Sequence, residues 1–303
     1  MCGDGPFTRP SEVEDLIGRL DAMLTPGGRR TLDEFVPEPG DVFITTPPKC
    51  GTTWMQQIVH GLRSGGSMDF ANINEVVPWL GMSHVDPDAA RAAQHPRRPH
   101  VFKSHAGLDG VPPGARYIVV LRDPADALVS HYRFFAGSFL DADRLDFETF
   151  ARDFFLPRCE VHQHVAAAWP RRDDPDVRIF CYESMVADLP GTVAAVAAFL
   201  SIPLTDELRE VVVAQARLGF MKQHESKFDD ALLFESVRHR MRLPPASSLS
   251  KVAPDGVGAQ RQAVSVELHR ELDTAWRTRV TPRTGLTSYA DLRAALDASP
   301  PAR

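Results

Sequence analysis

The sequence predicts an α/β fold, a parallel sheet flanked by helices on both faces, and three observations carry that prediction. Its candidate strands are short and almost continuously apolar: 41–46, with Val42, Phe43 and Ile44, then 117–121 (YIVVL) and 177–182 (VRIFCY). Strands of this kind are buried on both sides. Stretches of helical period alternate with them, which implies parallel strands joined by crossover helices. The first strand also runs into the first of these helices through a tight loop, Pro47-Pro48-Lys49-Cys50-Gly51, rather than through a long connection.

Taken in order, Ser11 and Glu14 are spaced as an N-terminal capping box. Val13, Leu16, Ile17, Leu20 and Met23 follow at helical intervals until Pro26-Gly27-Gly28. Pro47 and Pro48 stop the strand at 41–46. From Thr52 onward Trp54, Met55, Ile58, Val59 and Leu62 recur on one helical face. A short strand is expected at 100–104. After 117–121 comes a turn at Asp123-Pro124 and a helix to about Phe135, and after 177–182 a helix over 186–200. Helices dominate beyond Thr205, the last long one over 266–279. The stretch 224–262 is polar, without clear period and interrupted by Pro244, Pro245 and Pro254, so it reads as a lid or flexible loop. With no internal repeat, the 303 residues are expected to form one domain, 1–303.

Composition removes several functional classes. A content of 43% hydrophobic and 24% charged residues supports a packed core. The formal net charge of -6 excludes a general nucleic-acid binder, so any anion site must be local. Cys2, Cys50, Cys159 and Cys181 are far apart and form no C-x-x-C pair, which argues against a zinc ribbon or a disulfide framework. The first 16 residues hold no apolar segment of a signal peptide, and the apolar run 193–204 is too short to cross a bilayer. A cytoplasmic protein without stable membrane insertion is expected. No metal site is expected either: His162 and His164, the one H-x-H pair among 11 histidines, read as helix surface.

The chemistry concentrates in Pro47 to Trp54. A helix N-terminus beyond the carboxyl end of a parallel strand offers unpaired amides and a positive dipole end to an anion. Gly51 allows close backbone approach, Thr52 and Thr53 add hydroxyls, and Lys49 adds a charge. The residues suit a phosphate, although an ordinary βα turn with Lys49 in solvent fits the same local pattern. The loop is not a Walker A sequence, because its lysine precedes the glycine.

Lys49-Cys50-Gly51-Thr52-Thr53-Trp54 resembles the phosphosulfate-binding loop, P-K-[SA]-G-T-T-W, of the cytosolic sulfotransferase family. Tyr117 to Phe135 (YIVVLRDPADALVSHYRFF) resembles the same family's 3′-phosphate motif, with Arg122 and Ser130 in the matching places. An arginine at a strand end and a hydroxyl two turns into the next helix can grip one phosphate; an Arg122–Asp126 surface pair is the plainer alternative. Phe102-Lys103-Ser104-His105 is similar to the family's F-K-T-H. Pro78-Trp79-Leu80 and Tyr182-Glu183 are looser matches, as is Leu218 to Phe228, which resembles a segment closing over adenine. The resemblance covers about residues 35 to 295.

That resemblance implies a P-loop-like nucleotide-binding architecture and transfer of a sulfuryl group from 3′-phosphoadenosine-5′-phosphosulfate (PAPS) to a small hydroxylated acceptor: a phenol, alcohol or lipid. It implies His105 as base with Lys49 and Lys103 beside the transferred group. Lys49, Cys50, Gly51, Thr52, Thr53, Trp54, Arg122, Ser130 and Tyr182 would bind the nucleotide. One motif departs from the family: where R-K-G-x-x-G is usual, this chain has Ala253-Pro254-Asp255-Gly256-Val257-Gly258, leaving Lys251, Arg261 or the cluster Arg238, Arg240 and Arg242 to substitute. A small-molecule kinase using magnesium-ATP and a non-catalytic nucleotide-binding protein are the competing functions. Phe134, Phe135, Phe139 and Trp79 either line an apolar acceptor pocket or belong to the core, and a homodimer is left open.

Overall fold

The computed structural model describes residues 7–23, 28, 32–82, 86–92, 94, 98–245 and 264–298. Four parallel strands form its sheet: β1 (Val42–Thr45), β2 (Val101–Ser104), β3 (Arg116–Leu121) and β4 (Val177–Cys181), in the order β2-β1-β3-β4. Val42 pairs with Val101 on one side and Arg116 on the other, and Tyr117 pairs with Val177. All four strands lie where the apolar runs predict them.

The longer helices are α1 (Val13–Met23), α2 (Thr52–Ser64), α3 (Pro124–Ser138), α4 (Glu160–Ala168), α5 (Leu189–Phe199), α6 (Asp206–Gln215), α7 (Ala231–Met241), α8 (Val266–Arg279) and α9 (Tyr289–Ala298). Side chains alternate across the sheet, as the two-residue period of a strand requires. Val42, Ile44, Ile118 and Val120 face α2 and α5, against Met55, Ile58, Val59, Val193 and Val196. Phe43, Phe102, Tyr117 and Val119 face the other way, with Val165, Trp276 and Tyr289. Each fully buried side chain of this size contributes about 2 kcal/mol of apolar burial.

Three segments differ from the sequence expectation. Within the stretch read as lid or loop, residues 231–241 form α7, because Phe234, Val237 and Met241 share a helical face and are all buried. The polar residues between them, Glu235, Arg238, His239 and Arg240, hide that period in the sequence. The helix expected over 186–200 is two: a short one ends at Ala187, and Asp188, accepting from the Gly191 amide, caps α5 with Pro190 in its first turn. His162 and His164 are interior rather than surface residues. His162 is sealed on α4 with its ring edge toward Trp276, centroids 5.9 Å apart, and His164 Nδ1 donates to the Glu160 carbonyl at 2.8 Å. The departing motif, Ala253 to Gly258 with Lys251 and Arg261, lies outside the described residues. Among the described residues no helix is long and apolar enough to cross a membrane.

Burial holds the His162 pKa down at about 4, against an ordinary 6.5. The unfolded chain therefore takes up a proton that the folded chain refuses. Stability from this source is complete above about pH 6.5 and falls as pH drops toward 4, by up to roughly 3 kcal/mol at 1.36 kcal/mol per pKa unit. Urea unfolding midpoints measured from pH 7 to 4 should decline, and His162→Phe should flatten that decline.

Candidate active site

Every strand's carboxyl end points to one edge, and the chain leaves β1 there at the switch point between β1 and β3, where connections diverge to opposite sides. The link from β1 to α2 is only six residues long, so it must turn sharply. It does so with two left-handed residues, Lys49 (φ 63°) and Gly51 (φ 103°). For Lys49 that conformation is strained, and Arg122 Nη1 offsets the strain by donating to the Lys49 carbonyl at 3.1 Å. At Gly51 no other residue fits, since a Cβ there would lie 2.9 Å from Tyr182 Cδ2. Left-handed residues on either side of Cys50 turn the backbone tightly, and the Cys50 amide is taken by the Pro47 carbonyl.

Helix α2 starts at Thr52 with no side chain capping it. Its first amides have no intrahelical partner, and the helix begins at the carboxyl edge of the sheet, where open α/β folds bind ligands. Thr52 and Thr46 share a hydrogen bond between their hydroxyls, which pins the loop at both ends, and Thr53 is partly exposed beside them. Cys50 presents nothing to a ligand: its thiol is buried, lies 3.6 Å from the Pro48 carbonyl and has its pKa pushed well up by desolvation, and its amide donates to Pro47. Expected to bind nucleotide, Cys50 instead turns its side chain into the core and shapes the loop.

Trp54 and Tyr182 form one wall of the crevice, ring centroids 5.3 Å apart and nearly perpendicular. Trp54 Nε1 donates to the Ala216 carbonyl at 2.8 Å, and Tyr182 stands at the start of the short helix after β4. The Arg122 guanidinium, at the end of β3, lies 4.4 Å from the Tyr182 ring centre. Its Nε is buried without a hydrogen-bond partner among the described residues. Ser130 is partly exposed two turns into α3, whose start is capped by the Asp123 side chain on the Ala125 and Asp126 amides.

On the other side, His105 follows β2 and its Nδ1 lies 2.9 Å from the Thr46 carbonyl. A carbonyl can only accept, so Nδ1 carries the proton and Nε2 of the neutral ring holds a lone pair. Trp79 packs its edge on His105, centroids 4.7 Å apart, and lies under Lys103 Nζ at 4.9 Å. The main chain at Trp79 bridges to Lys103 along the outer edge of β2, which places this pair. Lys103 is only 2% exposed. Lys49 Nζ sits 4.0 Å from the Phe134 ring centre. Phe135 and Phe139 belong to the buried core, whereas Phe134 and Trp79 remain partly exposed at the crevice. Arg238 pairs with Glu235 on α7, at 3.1 Å.

Sequence reasoning missed three supporting contacts. The Thr46 carbonyl orients His105. Glu183 accepts from the Asp123 amide at 3.1 Å and lies 2.5 Å from the Tyr289 hydroxyl, tying α9 to the end of β3. The Ala216 carbonyl holds Trp54. Only Glu183 left a trace in the sequence, beside Tyr182 after a strand.

A family model described as the sulfotransferase domain matches residues 39–293. The chain belongs to the sulfotransferase family. Mouse sulfotransferase 1A1 is 28% identical over 206 residues, 64% of this chain and 70% of the relative; zebrafish sulfotransferase 6B1 is 25% identical over 228 residues, 71% and 76%. A crystal structure of retinol dehydratase with androsterone and inactive cofactor PAP shares the fold at TM-score 0.69 and 20% identity, covering 90% of this chain and 94% of that one. Mouse sulfotransferase SULT7A1 with PAP does so at 0.64 and 18%, covering 91% and 93%. This sulfotransferase is thus a PAPS-dependent enzyme moving a sulfuryl group.

Gly51→Ala tests the loop. The forbidden φ and the clash with Tyr182 should raise the dissociation constant for adenosine 3′,5′-bisphosphate at least about tenfold, read by calorimetry, while far-ultraviolet circular dichroism stays native.

Proposed function

We propose that this sulfotransferase passes the sulfuryl group of PAPS to the hydroxyl of a small apolar acceptor, with His105 as general base. The observation that carries this reading is the bond from His105 Nδ1–H to the Thr46 carbonyl, one residue beyond β1. It fixes the tautomer and ties the base to the same backbone that forms the anion loop, so the two cannot drift apart.

The residues fit the donor. The uncapped start of α2 suits a 5′-phosphosulfate, and the Arg122 fork has a buried nitrogen still to be satisfied. Trp54 and Tyr182 offer aromatic faces to an adenine. Bound donor supplies the sulfuryl group and the phosphate that leaves. Around it, His105 Nε2 takes the acceptor's proton as its oxygen bonds to sulfur, from about 3 Å. Lys49 and Lys103 hold positive charge beside the sulfuryl and bridging oxygens, where negative charge grows. Ser130 and Arg122 hold the 3′-phosphate. As in phosphoryl transfer, positioning and electrostatics supply most of the rate.

For the acceptor, Phe134 and Trp79 give apolar walls next to Lys49 and His105. Two of the similar structures hold retinol or androsterone with PAP, both apolar molecules bearing one hydroxyl. A phenol or an alcohol of similar size suits this chain.

His105→Ala is expected to lower turnover of 2-naphthol by about 10²–10⁴-fold with donor binding retained, in a radiolabelled-donor assay; a loss of only a few-fold removes His105 from the mechanism. Arg122→Ala is expected to raise the dissociation constant of adenosine 3′,5′-bisphosphate by at least about tenfold. A change confined to the chemical step would contradict the phosphate-clamp role.

A further inference from the structure

Residues 131, 134 and 135 of α3 are spaced to share one helical face. Phe134 on that face lies under the Lys49 ammonium, and Phe135 meets the His131 ring edge-on, centroids 4.6 Å apart. His131 is therefore placed next to the aromatic wall of the crevice, though it plays no part in the chemistry above. Its ring is enclosed by Phe150, Phe154 and Phe155 at 5.7, 5.8 and 6.1 Å. Its Nδ1 is sealed from solvent with no hydrogen-bond partner among the described residues.

Burial among these rings, with the charges of Lys49 and Arg158 adding to the effect, holds the imidazole neutral, its pKa down at about 3. A neutral imidazole carries one donor and one acceptor. As packing, the histidine is the wrong residue: a phenylalanine would fill an aromatic box without leaving a polar atom unsatisfied. The surrounding backbone is also unusual. Phe150–Phe155 is a π-helix, a geometry rare in proteins and frequent at functional sites.

We propose that His131, with the π-helical segment Phe150–Phe155 behind it, forms the inner wall of the acceptor pocket and hydrogen-bonds a second polar group on the acceptor, besides the hydroxyl that reacts. The proposal rests on the sulfuryl-transfer reading and narrows its substrate class to phenols or alcohols with such a second group. His131 is then a specificity-determining residue, acting on KM more than on kcat. A site built around a hydrogen bond discriminates against an analogue that leaves its polar atom unpaired.

The test compares two near-isosteric phenols, 4-(2-hydroxyethyl)phenol and 4-propylphenol, with labelled PAPS. The ratio of their kcat/KM values is expected to fall about tenfold in His131→Phe, chiefly through the KM of the hydroxyethyl compound. In His131→Gln, which keeps a hydrogen-bonding group, it should stay within about threefold. The thermal midpoint of His131→Phe should be no lower than that of the unsubstituted enzyme; if this variant fails to fold, His131→Leu reads the same ratio. Equal ratios in the unsubstituted enzyme and the apolar variant, with turnover retained, overturn the assignment of His131. Absence of donor-dependent turnover of either phenol and of 2-naphthol by the unsubstituted enzyme overturns the sulfuryl-transfer reading, and this proposal with it.

Discussion

The turn from β1 into α2 is the constraint on which the rest of the structure depends. Six residues must reverse the chain at the carboxyl edge of the sheet, and they do so only because Lys49 and Gly51 adopt left-handed backbone. Tyr182 stands so close to Gly51 that any larger residue would collide with it. The rest of the edge is built to hold this turn. Arg122 bonds the Lys49 carbonyl, Thr46 bonds Thr52, and the Thr46 carbonyl fixes His105. Strain at such a place costs about 1–3 kcal/mol and persists only where its surroundings over-determine it. Here the surroundings are strands β1, β3 and β4, whose side chains are buried apart from the partly exposed Arg116 and Arg178.

The electrostatics follow from the same placement. A chain with net charge -6 gathers Lys49, Lys103 and Arg122 on one edge. All three rest on aromatic faces: Lys49 on Phe134, Lys103 on Trp79 and Arg122 on Tyr182. An aromatic face holds a cation in place, worth about 0.5–2 kcal/mol, without cancelling its charge as a carboxylate would. The rings thereby keep the positive field directed at the crevice. They also make its walls apolar, which strengthens that field and suits an apolar acceptor.

The sheet and the core of the site were legible because their signals are local. Val42 to Ile44, YIVVL and VRIFCY announce buried parallel strands, and the P-K-C-G-T-T-W loop lies between a strand and a helix where open sheets bind ligands. What stayed hidden depends on distant partners. Glu235, Arg238, His239 and Arg240 make α7 read as polar until α1 and the core cover its apolar side, Phe234, Val237 and Met241. His162 looks like helix surface until Trp276, more than a hundred residues away, closes over it. The Glu183–Tyr289 contact joins segments that no period relates. Cys50 illustrates a different limit: its position in the motif is plain, yet only coordinates show that its thiol faces inward. The same holds for His131, which follows the motif's Ser130 directly and gives no sign in sequence of the aromatic box around it.

The central claim is that the backbone from Gly51 to Trp54 cups the anionic end of a nucleotide. A crystal structure of the protein with adenosine 3′,5′-bisphosphate tests it most directly. The account predicts the 5′-phosphate within hydrogen-bonding distance of those amides, about 2.7–3.2 Å, and the 3′-phosphate on Arg122. A nucleotide bound elsewhere, or a loop whose amides turn away from it, would contradict the account.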